Sequence, residues 1–267
     1  MTEMPLLRDE ATARYRQAMN IADADFQIES PLTLPHNEVQ LWRLDLEAIR
    51  ADESRWQKLL SPEEVTRASR FHFSADRQRF IAARAVLRAI LGGYLATDPA
   101  GLAFSYSKRG KPSLATDHQG SDVTFNLSHS AGIALFAFAR GREIGIDVEQ
   151  VRHDFDVEAI AHRFFSAEEQ KQLAALPNSE RFDAFFRCWT RKEAYIKATG
   201  DGLSLPLHQF DVSLAVGDKD ALLATRPDAS EAALWSLREV PAVAGYVAAL
   251  CVRGRNWDLK EWSGKAG

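Results

Sequence analysis

The stretch REIGIDVEQ, residues 142–150, decides the fold because it sets two acids into what is otherwise a buried strand. Ile144, Ile146 and Val148 alternate with Asp147 and Glu149. Side chains two residues apart on a strand point to the same face, roughly 6–7 Å apart along the chain. The two carboxylates therefore share one face. Two acids on one face are expected if that face meets water. They are also expected if a cation is held between the two carboxylates.

Around this strand, the chain divides into two halves with a similar succession of elements. The first half predicts a strand over 38–46, helices from Ser61 and over about 75–95, a strand running into a loop over 101–114, and a hairpin over 123–140. The second half predicts a strand over 143–150, helices over 155–165, from Ser166 and over 181–199, and strands over 210–216, 233–237 and 246–252. We therefore expect an α+β fold of two similar subdomains, with a ligand cleft between them.

These elements define the expected domain boundaries. Residues 1–37 form an N-terminal appendage with a short helix near 8–19, residues 38–140 and 141–257 form the two αβ subdomains, and residues 258–267 form a tail. Ser61 with Glu64, and Ser166 with Glu169, match the capping box that starts a helix.

Composition excludes several classes of function. The 267-residue chain has a formal charge of −4 and 46% hydrophobic residues, as in an ordinary globular protein without general attraction to nucleic acid. The uncharged stretches over 131–139 and 242–252 are too short to span a membrane. The N-terminus lacks the basic start and apolar run of a secretory signal. Cys188 and Cys251 have no disulfide or metal spacing. We expect a cytoplasmic protein without nucleic-acid or membrane partners.

The segment CWTRKEAYIKATGDGL, residues 188–203, carries a second pattern. On a helix, Trp189, Glu193 and Lys197 are four residues apart and share a face. An exposed ion pair between Glu193 and Lys197 is the ordinary explanation for such spacing. Glycines follow at 200 and 202, where they end the helix and let other backbone approach closely. This context favours a functional explanation for the spacing.

Asp147, Glu149 and Glu193 together would provide the oxygen ligands that Mg²⁺ prefers. Three adjacent carboxylates without a metal would repel and raise one another's pKa values. The sequence has no Cys/His set for zinc, so Mg²⁺ is the predicted cation, with Mn²⁺ as a substitute.

Basic groups elsewhere in the chain suit a ligand with several phosphates, because Arg binds phosphate bidentately and Lys acts as a point charge. They lie in the loop KRGKP, in FNLSHS and on the first helices: Lys108, Arg109, Lys111, His129, Arg67, Arg70, Arg77, Arg79 and Arg84. Singly, each is more often solvated surface or a structural histidine. Beside an acid trio they indicate metal-assisted chemistry on a phosphate ester or anhydride.

In this order, GKP, FNLSHS, IGIDVE, FF and W…KEAYIK resemble the Sfp-type 4′-phosphopantetheinyl transferases, over about residues 59–205. The resemblance implies an enzyme with a pseudo-twofold α/β fold that uses coenzyme A and Mg²⁺. Members of the family move the phosphopantetheine arm to a serine of an apo acyl or peptidyl carrier protein, a transient partner, and release adenosine 3′,5′-bisphosphate. By analogy the protein is a monomer.

By motif position, the resemblance implies a role for each site residue. Asp147, Glu149 and Glu193 are the metal ligands, and Glu193 or a metal-bound water takes the serine proton. His129 competes for that role, but its place in the phosphate-holding motif makes it a binder first. Lys197 neutralises the diphosphate. The remaining coenzyme-binding residues are Ser128 and His129 at its phosphates, Asn126 shaping their turn, Arg109, Gly110 and Lys111 beside the adenine and 3′-phosphate, and Arg67 and Arg79 in that phosphate pocket.

The chain departs from the family at Glu64, where some relatives carry a phosphate-binding lysine; the capping box gives Glu64 a local role instead. Glu169 falls where relatives carry an acid near the site, and we favour its capping role as well. Two other functions stay open: a metal-dependent hydrolase acting on coenzyme A or nucleotides, and a non-catalytic module that binds coenzyme A or a carrier.

Overall fold

The computed structural model describes residues 32–49, 53–115, 121–200 and 202–263. The predicted helix near 8–19 lies outside these ranges. The strands are β1 (Glu38–Asp45), β2 (Phe104–Tyr106), β3 (Pro112–Leu114), β4 (Val123–Ser130), β5 (Ile133–Arg140), β6 (Ile144–Gln150), β7 (Phe210–Val212), β8 (Leu222–Thr225), β9 (Trp235–Glu239), β10 (Tyr246–Arg253) and β11 (Asp258–Ser263). The helices are α1 (Leu46–Ile49), α2 (Glu53–Gln57), α3 (Pro62–Ala68), α4 (Ser74–Leu95), α5 (Val157–Phe164), α6 (Ala167–Ala175) and α7 (Asn178–Thr199).

The two halves repeat one topology, as the mixed α+β pattern predicts. The first sheet has the order β11-β1-β5-β4 and the second has the order β6-β10-β9. In the first half β1 therefore pairs with β5, and β5 pairs with β4; in the second half β6 pairs with β10, and β10 pairs with β9. Each half also has a helix of 22 residues after its first strand: α4 lies between β1 and β4 in the chain, and α7 lies between β6 and β9. This shared order is the pseudo-twofold plan.

Three apolar cores hold these layers together. Strand β5 sends Phe136 and Phe138 to the core beneath α4, and Leu135 and Ala137 to a core shared with β6 and β10. A third core lies between α7 and the strands β9 and β10. The long helices thus cover the outer faces, while the inner faces of the two sheets pack on each other.

Strand β6 carries the predicted alternation. Ile144, Ile146 and Val148 are buried in the core between the sheets, which leaves Gly145 and Asp147 on the other face, towards α7. Gly145 permits close contact with this helix, because a Cβ there would lie 2.1 Å from the carbonyl oxygen of Ala194.

Both predicted capping boxes are confirmed, at Ser61 with Glu64 and at Ser166 with Glu169. Within residues 101–114 the predicted strand runs into a loop, as β2, and the chain then returns as the unpredicted strand β3, so that the two form a short antiparallel hairpin. One other expectation is wrong. Residues 258–263 are not a tail but the strand β11, which pairs in parallel with β1. The order of hydrophobic residues could not reveal a pairing between segments so distant in sequence.

Within the described ranges, every helix is too short or too polar to serve as a membrane span. Cys188 and Cys251 are buried and form no disulfide.

Candidate active site

Asp147 lies at the centre of a polar network between the halves. Its side chain is buried, and its Oδ1 accepts hydrogen bonds from the Ser128 hydroxyl at 2.9 Å and from Lys197 Nζ at 2.6 Å. Lys197 Nζ also donates to Ser128 Oγ at 3.1 Å. The second oxygen, Oδ2, is buried without a hydrogen bond to any described group. Burial raises the pKa of Asp147, while the neighbouring Lys197 charge opposes the rise.

Glu149 and Glu193 belong to the same electrostatic region as Asp147. The hydroxyl of Ser130 donates to Glu149 Oε2 at 2.8 Å. Burial raises the pKa of Glu149, and the charge of Asp147 adds to that rise. Burial also raises the pKa of Glu193, with further contributions from Asp147 and Glu149. The strand acids and the helix acid therefore repel one another, as the sequence predicts for a metal-free trio.

The metal site itself stays a prediction. Among the described residues, no three His, Cys, Asp or Glu side chains lie close enough together to hold a metal ion. The donor chemistry does fit Mg²⁺, because all three groups offer oxygen. The orphaned Oδ2 of Asp147 and the raised pKa values are what an added cation would relieve.

A cavity of about 470 Å³ opens beside this acid cluster, between the two halves. Its described lining includes five arginine and lysine side chains and no acid: Arg67, Arg84, Arg109, Lys111 and Lys197. The predicted residues Gly110, Asn126, Ser128 and His129 line it as well. Such a cavity attracts an anionic ligand.

Strand β4 positions the FNLSHS motif at the cavity. Asn126 Oδ1 accepts a hydrogen bond from the backbone N–H of Ile146 at 2.8 Å and so ties β4 to the acid strand β6. Burial lowers the pKa of His129, and the charges of Lys197 and Arg79 lower it further. Burial and the two neighbouring cations therefore favour the neutral form of the imidazole.

The KRGKP loop joins the two halves. Gly110 has a φ of +81°, which a glycine adopts without strain. Lys111 Nζ donates to the backbone carbonyls of Ile144 at 3.1 Å and Ala198 at 3.3 Å, and to that of Lys197. Burial lowers the pKa of Lys111. Its ammonium is thus engaged by β6 and the end of α7, although its side chain lines the predicted coenzyme site.

Arg79 is the predicted coenzyme-binding residue that the structure does not bring to the cavity wall. Its guanidinium pairs with Glu47 at 2.6 Å and lies 3.5 Å from Asp76. It reaches the site through its charge, which contributes to the lowered pKa of His129.

Sequence reasoning missed Phe80 and Tyr106 and named Arg84 only among the basic groups suited to phosphate, without assigning it to the coenzyme site, yet all three line the cavity. The spacing of Phe80 and Arg84, four residues apart on α4, was the available signal. Glu169 is buried and pairs with Lys192 Nζ at 2.7 Å, while its other contacts cap α6 and reach the N–H of Val212. It therefore lies in the core of the second half.

Comparison with known proteins agrees with this geometry. Residues 143–251 match the model of the 4′-phosphopantetheinyl transferase superfamily, and residues 47–140 match that of the 4′-phosphopantetheinyl transferase N-terminal region. The 4′-phosphopantetheinyl transferase HetI of Nostoc sp. is 42% identical over 86% of this chain and 94% of its own. Sfp of Bacillus subtilis, also a 4′-phosphopantetheinyl transferase, is 33% identical over 64% of this chain and 74% of its own.

Among solved structures, holo-[acyl-carrier-protein] synthase of Thermotoga maritima matches 42% of this chain and 63% of its own, with 19% identity and a TM-score of 0.29. The two family models together extend across both halves of the fold. The HetI match covers nearly the whole of that relative. The chain therefore belongs to the 4′-phosphopantetheinyl transferase superfamily.

Proposed function

We propose that the protein transfers the 4′-phosphopantetheine arm of coenzyme A to a serine hydroxyl of an apo acyl or peptidyl carrier protein. The observation that carries this proposal is the basic cavity between the halves, which adjoins the cluster of Asp147, Glu149 and Glu193. A ligand that carries a diphosphate and a third phosphate can pair with several separate basic side chains of this cavity. The names of the relatives support the same reaction.

Lys197 and Ser128 are the groups proposed to hold the diphosphate. Both line the cavity, and both reach Asp147 through hydrogen bonds. The charge of Lys197 would stabilise the negative charge that develops on the leaving bisphosphate. His129, neutral and flanked by cations, would donate a hydrogen bond to a phosphate oxygen rather than act as the base.

Asp147, Glu149 and Glu193 would hold Mg²⁺, or Mn²⁺ in its place. When bound, such an ion would neutralise charge on the diphosphate. The fit rests on the three oxygen donors and on the unpartnered Oδ2 of Asp147.

The proposed transfer is an in-line displacement. The oxygen of the carrier serine bonds to the phosphorus that bears the pantetheine arm. The bond from this phosphorus to the bridging oxygen breaks, and adenosine 3′,5′-bisphosphate leaves with that oxygen. Glu193 would take the serine proton, since burial and the charges of Asp147 and Glu149 raise the pKa of its carboxyl group and so make it a better proton acceptor.

We also propose that the protein works as a cytoplasmic monomer that meets its carrier transiently. Both halves of one chain contribute to the cavity, so the site needs no second copy. The two buried, unpaired cysteines suit a reducing compartment.

Intact-mass analysis tests the reaction. The protein is incubated with coenzyme A and Mg²⁺, with and without a panel of apo acyl and peptidyl carriers. We expect a carrier to gain the phosphopantetheine mass, and coenzyme A to persist when no carrier is present. Consumption of coenzyme A without a carrier would instead indicate the hydrolase. Binding without any turnover would indicate the non-catalytic module.

A further inference from the structure

A second basic cavity lies at the opposite end of the sheets from the acid cluster. Its volume is about 330 Å³, and its described lining contains a histidine, three arginines and no acid: His36, Arg140, Gly141, Arg142, Arg253 and Gly254. Strand β5 runs from Ile133, which pairs with Ser130 beside Glu149, to Arg140 at this cavity. Its eight residues span roughly 24 Å, so the cavity is remote from the acids.

The lining residues lie where the chain enters or leaves the two sheets. Gly141 and Arg142 belong to the link of residues 141–143, through which the chain passes from β5 in the first half to β6 in the second. Gly254 begins the link of residues 254–257, which returns from β10 to β11. A ligand in this cavity would therefore contact both links between the halves.

Arg142 carries a positive charge that no described acid pairs with. Its Nη2 donates to the backbone carbonyl of Asn256 at 3.0 Å. Its Nε and Nη1 donate to the carbonyls of His36 and Arg253, each at 3.4 Å. A guanidinium has five N–H donors, so carbonyls fix the side chain and leave further donors for a ligand. Its charge remains available to attract an anion.

Gly254 makes room for this guanidinium. It has a φ of +89°, which a glycine adopts without strain. A Cβ at this position would lie 2.7 Å from Nη1 of Arg142. The cation is thus seated against the backbone of the second link, and a larger residue there would displace it.

The other two arginines are paired with acids that lie outside the described lining. Arg140 Nη1 donates to Asp122 at 2.6 Å, and Arg253 Nη1 donates to Glu143 at 2.7 Å. Among the described residues, three guanidinium groups at this cavity therefore meet two carboxylates. The excess charge at the cavity is positive.

We propose that this cavity binds a phosphate group, either as inorganic phosphate or as the end of a phosphate monoester. Arg142 is the central ligand, with Arg140 and Arg253 as further donors, because guanidinium groups match the oxygens of a phosphate in a fixed fork. His36, whose side chain is 77% exposed, adds an imidazole at the rim. The bound phosphate would connect the two links and stabilise the packing of one half on the other. The site is separate from the coenzyme cavity and does not depend on the proposed function.

Titration with inorganic phosphate at constant ionic strength tests the proposal, with coenzyme A present to occupy the other basic cavity and Mg²⁺ absent to prevent transfer. We expect calorimetry to show one phosphate bound per chain. Tm should rise by about 3–6 °C when phosphate reaches about ten times its Kd, because the anion binds the folded state alone.

Arg142→Met and Arg253→Met should each weaken phosphate binding at least about 10-fold, as for a lost hydrogen bond to a charged group. Arg253 is the safer change for folding, since its side chain is 52% exposed. The Tm of each variant is compared with its own value without phosphate.

Arg255→Met is the matched control, because Arg255 lies in the second link but pairs with Asp220 at 2.6 Å outside the described lining. It should bind phosphate as wild type does. Unchanged affinity in both Arg142→Met and Arg253→Met would overturn the proposal. So would a rise in Tm that never saturates and is equal in all variants, because that is a general effect of the salt.

Glycerol 3-phosphate distinguishes the two sources of the phosphate group. Tighter binding than that of inorganic phosphate would identify a monoester as the ligand, and weaker binding would identify the free anion. In either case Arg142→Met must weaken the binding, and binding that is independent of Arg142 would refute the site.

Discussion

Gly145→Ala is expected to separate the acid strand from the active-site helix. The new Cβ would lie 2.1 Å from the carbonyl oxygen of Ala194 and 2.3 Å from the backbone nitrogen of Ala198. These are backbone atoms and cannot rotate away. Ordinary contact begins at 3.4 Å, so β6 and α7 would have to move apart by about 1.3 Å.

That movement acts on the site directly, because Ala194 and Ala198 follow Glu193 and Lys197 in α7. A misplacement of about 1 Å can cost about 100-fold in rate. Overpacking also destabilises by about 1–3 kcal/mol. For a protein of this size, each kcal/mol lowers Tm by about 2–4 °C. We therefore expect transfer to fall about 100-fold and Tm to fall by several degrees.

Gly101→Ala is the control, because a Cβ at Gly101 meets nothing closer than 3.9 Å. Transfer of the arm to an apo carrier at saturating coenzyme A and thermal unfolding are measured for both variants. Gly101→Ala should retain the wild-type rate and Tm within error. A Gly145→Ala protein with both properties unchanged would show that the helix and strand do not need this contact.

Three further predictions concern charged groups of the site. Glu193→Gln should abolish transfer, because the proposed base or metal ligand is lost. It should not lower Tm, because it removes a charge that is buried and repelled by Asp147. Near-normal transfer in a single-turnover assay would refute the role of Glu193 as base or ligand. In metal-free protein, the Tm of Asp147→Asn should rise relative to that of wild type as pH increases above the ordinary pKa range of a carboxyl group. The reason is that the raised pKa of Asp147 makes the folded state bind its proton more tightly than the unfolded state does, so wild type loses stability as that proton is released. A gain in Tm confined to low pH would contradict this reasoning. Lys111→Met should lower the free energy of unfolding by about 1–3 kcal/mol in denaturant titration, because backbone carbonyls of β6 and α7 lose their hydrogen-bond donor. An unchanged free energy of unfolding would show that water replaces the ammonium.

Patterns over a few residues predicted much of the structure. The alternation in β6 identified both the core face and the acid face, and the four-residue spacing in α7 placed Glu193 and Lys197 on one side of a helix. The capping boxes at Ser61 and Ser166 marked helix starts correctly. Such features depend on local backbone geometry, which the sequence determines directly.

Features that depend on distant partners were not predictable in this way. Arg79 and Arg84 lie on one helix and look equivalent in sequence, but Glu47 pairs with the first while the second lines the cavity. The ammonium of Lys111 is engaged by backbone carbonyls, which leave no mark in a residue pattern. Pairing between β1 and β11 joins segments about 220 residues apart and likewise has no local signal.

The parallel ladder of β1 and β11 limits how the enzyme can move. Strand β11 follows β10 of the second half but hydrogen-bonds to the first sheet, so the chain passes between the halves a second time. A clamshell opening would have to bend the chain at both crossings or separate β11 from β1. Donor entry and product exit should therefore use loops at the rim, and small-angle scattering should give the same radius of gyration for the empty and the loaded enzyme.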